Sequence, residues 1–88
     1  MFRTPLSHEA LFQKMRIMAN RNRFRMLELT QKEPKSVTEL SKSTNLAYNK
    51  CADYVSMLEK EGLMEKKREG RVTKVKATID LSKIKIRP

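Results

Sequence analysis

Two groups of residues in this 88-residue chain are suited to chemistry, and both suit the binding of a polyanion better than catalysis. The first is the row Tyr48, Asn49, Lys50, Ala52, Asp53 and Ser56, interleaved with the apolar Cys51, Val55 and Leu58. An asparagine amide offers one donor and one acceptor to an adenine edge, and an alanine methyl packs on a thymine methyl. Tyr48 suits a phosphate or a stacked base. Lys50 and Lys42 supply charge for phosphates, which fix register without reading sequence. Asp53 is repelled by phosphates unless it accepts from a cytosine amino group, and its other available partners are Lys50 and Lys60. The second group is Lys66, Lys67, Arg68 and Arg71, four cations within six residues, followed by Lys74. Like charges packed this densely repel one another unless an anion faces them.

A catalytic reading finds no support in the residues. The Ser, Thr and acidic side chains fall at helix caps and surfaces without a His–acid pair, and two glycines are too few for a phosphate-cradling loop. The expectation is a non-enzyme without a cofactor.

Several elements are needed to position these groups. Residues 1–6 read as an arm, and Ser7 as the cap of a helix over 8–19 whose Leu11, Phe12, Met15 and Met18 recur at helical spacing. That stripe packs on its own domain, pairs with a second copy, or does both. Asn20 caps a second helix with the apolar face Phe24, Met26, Leu27 and Leu29, which ends before Pro34. Ser36-Val37-Thr38-Glu39 fits a capping box, opening a third helix that runs to about Ser43. Asn45 tolerates the left-handed turn that follows, and Leu46 plugs it into the core. A fourth helix runs from Tyr48 to about Glu61, buries Cys51, Val55 and Leu58, and stops at Gly62. Residues 63–67 and 72–79 bracket the basic turn as a β-hairpin, with Val75, Ala77 and Ile79 alternating against Lys74, Lys76 and Thr78. Ile84 and Ile86 alternate with lysine in the tail, 80–88, as in an added strand.

Composition bounds the rest. One small domain leaves little room for a substrate cavity beside its core. The formal net charge is +10. Residues 1–61 carry 11 basic and 7 acidic side chains, and residues 62–88 carry 9 and 3, so the excess is densest around the hairpin. Such a balance favours a nucleic acid or an anionic surface. A single cysteine excludes an internal disulfide, and Cys51 on the apolar seam reads as a small core residue. No apolar run approaches a membrane span and the N-terminus has no signal-peptide core, so the expected location is cytoplasmic, on the nucleoid.

The run from Met15 to Arg71 resembles the ArsR-type winged-helix repressors and the small archaeal winged-helix regulators. MRIMANRNRFRMLELTQ is similar to the family's entry into the second helix, SVTELS to its third-helix start, and LEKEGLMEKKREGR to its passage into the wing. The resemblance implies a dimeric regulator whose helix from Tyr48 reads DNA, with Arg23 or Arg25 supporting the fold or touching the DNA backbone. Metal-sensing members use cysteines at the third-helix start or acids and histidines on a C-terminal helix. Val37-Thr38-Glu39-Leu40 stands at the former place, so no metal is expected. The tail is too short for a C-terminal dimer helix, which leaves dimerisation to the first helix or the tail. Thr44 replaces the usual leucine and implies a looser corner.

The combined expectation is a mainly α winged helix-turn-helix domain: about four helices, then a two- or three-stranded antiparallel sheet. Its expected function is a sequence-specific, double-stranded DNA-binding transcriptional regulator acting as a homodimer. Two other readings stay open: a sequence-neutral architectural DNA binder, and a protein-interaction winged helix of the transcription machinery.

Overall fold

Proline and capping side chains set most element boundaries. The computed structural model describes residues 4–83. The first helix, α1 (Thr4–Met18), begins earlier than the arm over 1–6 and the Ser7 cap would have it. Pro5 stands in its first turn, where a missing N–H removes no helical hydrogen bond, so the helix runs back through Ser7 to Thr4. Asn20 caps α2 (Arg21–Leu29), its side-chain oxygen accepting from the Arg23 N–H at 3.1 Å. At the far end Thr30 is fully buried, and its hydroxyl donates to the Met26 carbonyl at 2.9 Å.

Ser36 ends a two-residue strand, β1 (Lys35–Ser36), and caps α3 (Val37–Thr44). Both roles are compatible because an N-cap residue is extended, and Ser36 has φ −80° and ψ 163°. The capping box is complete: Glu39 N–H donates to Ser36 Oγ at 3.1 Å and Ser36 N–H to Glu39 Oε1 at 2.8 Å. That second bond, before any other influence, holds the Glu39 carboxyl below its ordinary range. Asn45 adopts φ +60° and turns the chain towards α4 (Tyr48–Lys60), with Leu46 packed on the core. Thr44 donates to the Leu40 carbonyl at 2.7 Å, so it satisfies its hydroxyl within the last turn of α3.

Gly62, at φ +75°, releases the chain from α4 into a hairpin of β2 (Met64–Glu69) and β3 (Val72–Ala77). Gly70 takes φ +65° as the first of two loop residues, where such loops select glycine. Glu69 lies opposite Val72 and Met64 opposite Ala77, and the sheet order is β1-β3-β2. The third strand thus comes from the stretch after Pro34. The tail residues Ile84 and Ile86 lie outside the described residues. Ahead of them Leu81–Lys83 form a turn of 3-10 helix.

The core sits where α2, α3 and α4 meet the base of the sheet. It contains Met26, Leu27, Leu40, Cys51, Val55, Leu58, Leu63, Met64, Val75 and Ala77, with Ile17 and Met18 of α1 packed on its edge. Burial pushes the Cys51 thiol above its ordinary pKa, in keeping with a core role. The polar side of α4 and the outer half of the hairpin stay free of the core.

Candidate nucleic-acid interface

Helical spacing divides the outer surface of α4 into three strips. Asn49, Asp53 and Ser56 are all exposed and lie opposite the buried Cys51, Val55 and Leu58. Tyr48, more than half exposed, and the half-buried Ala52 turn towards the hairpin. There they line a cleft whose other wall includes Arg71, Val72 and Thr73, with Thr38 of α3 at one end. Thr38 and Val72 are not among the residues singled out from the sequence. Val72 is an exposed apolar residue one place beyond the turn, and that is the signal that could have marked it.

Lys50 turns the other way. Its ammonium lies 5.2 Å from the centre of the Tyr54 ring, and the Arg23 guanidinium lies 4.9 Å from the same ring. Both are within cation–π range. Arg23 also donates through Nε to the Ile17 carbonyl at 2.8 Å and through Nη1 to Met57 Sδ at 3.3 Å. It therefore joins the end of α1 to the back of α4, a supporting role that the sequence left open between Arg23 and Arg25. Arg25 pairs on the surface with Glu28 at 3.5 Å.

The hairpin cations divide by strand face. Met64, Lys66 and Arg68 share the side that faces the core, opposite Ala77, Val75 and Thr73 respectively. Lys66 does not reach off the wing alone, because its Nζ lies 3.7 Å from Glu59 of α4. On the other side Lys67 is directly opposite Lys74, a like-charge pair that costs stability. Glu65, 3.5 Å from Lys67, and Glu69, 3.5 Å from Lys74, offset it. These ion pairs lie at the surface, with Glu59 and Lys74 partly covered, and are worth at most about 1 kcal/mol each, little enough for a phosphate to replace the carboxylate. Arg68 and Arg71 are exposed at the hairpin tip and have no ion pair among the described residues, as is also true of Lys42 on α3.

A second surface lies along α1. Leu11, Phe12 and Met15 of α1 are 56%, 56% and 55% exposed, which is unusual for three large apolar residues in one stripe. Met18, in the same stripe, is half-buried and faces both ways: it packs on the core and joins Met15, Ala19 and Phe24 in an apolar groove edged by Arg21, Arg25 and Glu28. Among the described residues no three His, Cys, Asp or Glu side chains gather as a metal site would require. No helix among them is long and apolar enough to cross a membrane.

Residues 13–80 match the sequence model of the family described as "Winged helix-turn-helix". No curated protein sequence matches the chain significantly. Among solved structures, the chain superposes on a homodimeric winged helix-turn-helix DNA-binding domain from Mycobacterium bovis, described as a possible ArsR-family transcriptional regulator. The TM-score is 0.82 at 19% identity, over 91% of this chain and 74% of that one. NolR from Sinorhizobium fredii gives 0.77 at 22% identity, over 91% and 83% of the two chains. Reduced HlyU from Vibrio cholerae gives 0.75 at 20% identity, over 83% and 77%. At these identities the likeness concerns the fold.

Proposed function

Because the chain belongs to the winged helix-turn-helix family, we propose that it is a sequence-specific, double-stranded DNA-binding transcriptional regulator of the ArsR type. The observation that carries this reading is the cleft between α4 and the hairpin. One wall presents Tyr48, Ala52 and Ser56 of α4, beside the exposed Asn49 and Asp53, and the other carries Arg71, which has no ion pair among the described residues. A helix of this kind enters the major groove by its N-terminal turns, and the wing reaches the flanking backbone or the minor groove. Asn49 pairs with an adenine edge and Ala52 meets a thymine methyl, while Tyr48 braces a phosphate or stacks. Lys42, Lys50, Lys66, Lys67, Arg68, Arg71 and Lys74 supply positive charge along the backbone.

The open α1 stripe of Leu11, Phe12, Met15 and Met18 supports homodimerisation. A dimer places two reading helices on half-sites about 34 Å apart, one turn of the duplex. Regulation then follows from occlusion of a promoter or recruitment to it, on the nucleoid in the cytoplasm, with no catalysis.

Selection from a randomised duplex library at near-physiological salt is the direct test. Enrichment of an inverted repeat supports a specific dimeric regulator. Binding without enrichment replaces it with the architectural reading, which the net charge alone favours. No binding points to a protein partner. On an enriched site, Asn49→Ala is expected to relax the preference at one base pair. Arg68→Ala is expected to weaken every sequence alike and to flatten the log–log salt slope by roughly one unit. Equal losses on all sequences for both variants would contradict this division of roles.

A further inference from the structure

We infer that Asp53 sets the specificity of this domain by exclusion, admitting a cytosine at one position of each half-site and rejecting the other three bases. The inference rests on the reading of α4 as the DNA-reading helix. Asp53 stands between Asn49, one turn before it, and Ser56, three residues after it, at the middle of the exposed strip. Its carboxylate has no ion pair among the described residues, although the chain carries twice as many cations as anions.

The reason lies in the neighbouring side chains. Lys50, at i−3, is the ordinary helical partner for Asp53. Its ammonium is instead over the Tyr54 ring, on the flank that Arg23 also covers. Lys60, two turns on, forms no ion pair with Asp53 either. Tyr54 is thus a positioning residue: it draws the nearby cation off the reading strip and leaves the carboxylate bare.

A bare carboxylate in the major groove is an acceptor without a donor. Cytosine presents there an amino donor, whereas guanine presents two acceptors, thymine a carbonyl acceptor and a methyl, and adenine an acceptor beside its amino group. Only cytosine offers a donor without an adjacent acceptor. On every other base the carboxylate loses its water and gains repulsion, so discrimination arises from a penalty on wrong sequences as well as from a bond to the right one. Asn49 and Asp53 lie one helical turn, about 6 Å, apart. The adenine and the cytosine that they read are therefore neighbours or next-neighbours in the half-site.

The test is library selection with the full chain and with Asp53→Asn, which keeps the shape, removes the charge and adds a donor. The intact chain is expected to favour cytosine at one position of each half-site by about tenfold or more. Asp53→Asn is expected to lose that preference to within about twofold, to accept adenine there, and to bind unrelated duplex several-fold more tightly because one repulsive charge is gone. The position read through Asn49 should be unchanged. A variant that enriches the same motif base for base as the intact chain overturns the inference and leaves the regulator reading standing. An intact chain that enriches nothing overturns both.

Discussion

Leu58→Ala is expected to destabilise the domain by about 2–5 kcal/mol. Leu58 is wholly inaccessible and lies in the cluster with Met26, Leu27, Leu40, Cys51 and Val55, on the seam by which α4 is held. Truncation removes the buried methyl groups and leaves a cavity that neighbouring helices fill only in part. A domain of this size has only about 5–15 kcal/mol of stability at the outset, so the midpoint of thermal unfolding should fall by roughly 10–25 °C. Circular dichroism melts of the two proteins measure this directly. DNA binding should survive at low temperature, because Leu58 touches nothing on the exposed strip. A shift under about 3 °C would mean that α4 is not held through this seam.

The second large effect is expected from Phe12→Asp. Phe12 is more than half exposed, so the substitution costs the isolated domain little and its melting midpoint should move slightly. A carboxylate in the middle of the α1 stripe cannot be buried against a second copy without a large desolvation cost. Sedimentation velocity should report a dimer for the unaltered chain and a monomer for the variant. Affinity for a duplex with two half-sites should fall about 100-fold or more, since the second half-site is no longer captured intramolecularly. Affinity for one half-site should stay the same. A variant that sediments as the unaltered protein does would remove the α1 stripe from the dimer.

Local chemistry made most of the frame legible. The Ser36 and Glu39 pair, Asn45 and Gly62 each mark a boundary through a bond or a dihedral angle that neighbouring residues alone decide, and each stands where the sequence placed it. The seam Cys51, Val55 and Leu58 was readable for the same reason, as periodicity in one helix. The start of α1 is not legible in the sequence, because Pro5 suits an extended arm and a helical first turn equally well. Strand β1 is not legible either, because two residues cannot display an alternation. It exists only through its pairing with β3, Lys35 with Val75 and Ser36 with Lys74, far apart in the chain. The destinations of the cations were also hidden. That Lys50 goes to Tyr54 and Lys66 to Glu59 depends on which rotamers meet once helix and hairpin are packed.

Among the described residues the sheet order leaves β2 at an edge, with one row of backbone donors and acceptors unpaired by another strand. Such an edge templates association between molecules unless its side chains forbid it. Five consecutive residues of β2, Glu65 to Glu69, are charged and exposed. A second copy approaching edge to edge would have to bring these charges together and strip their water. The cations proposed for phosphate contact, together with Glu65 and Glu69, would therefore also disfavour edge-to-edge stacking of the free protein. A variant neutralised along the whole hairpin to abolish DNA binding would sacrifice its colloidal stability with it, whereas a substitution at Arg71 alone, beyond the end of the strand, would separate the two properties.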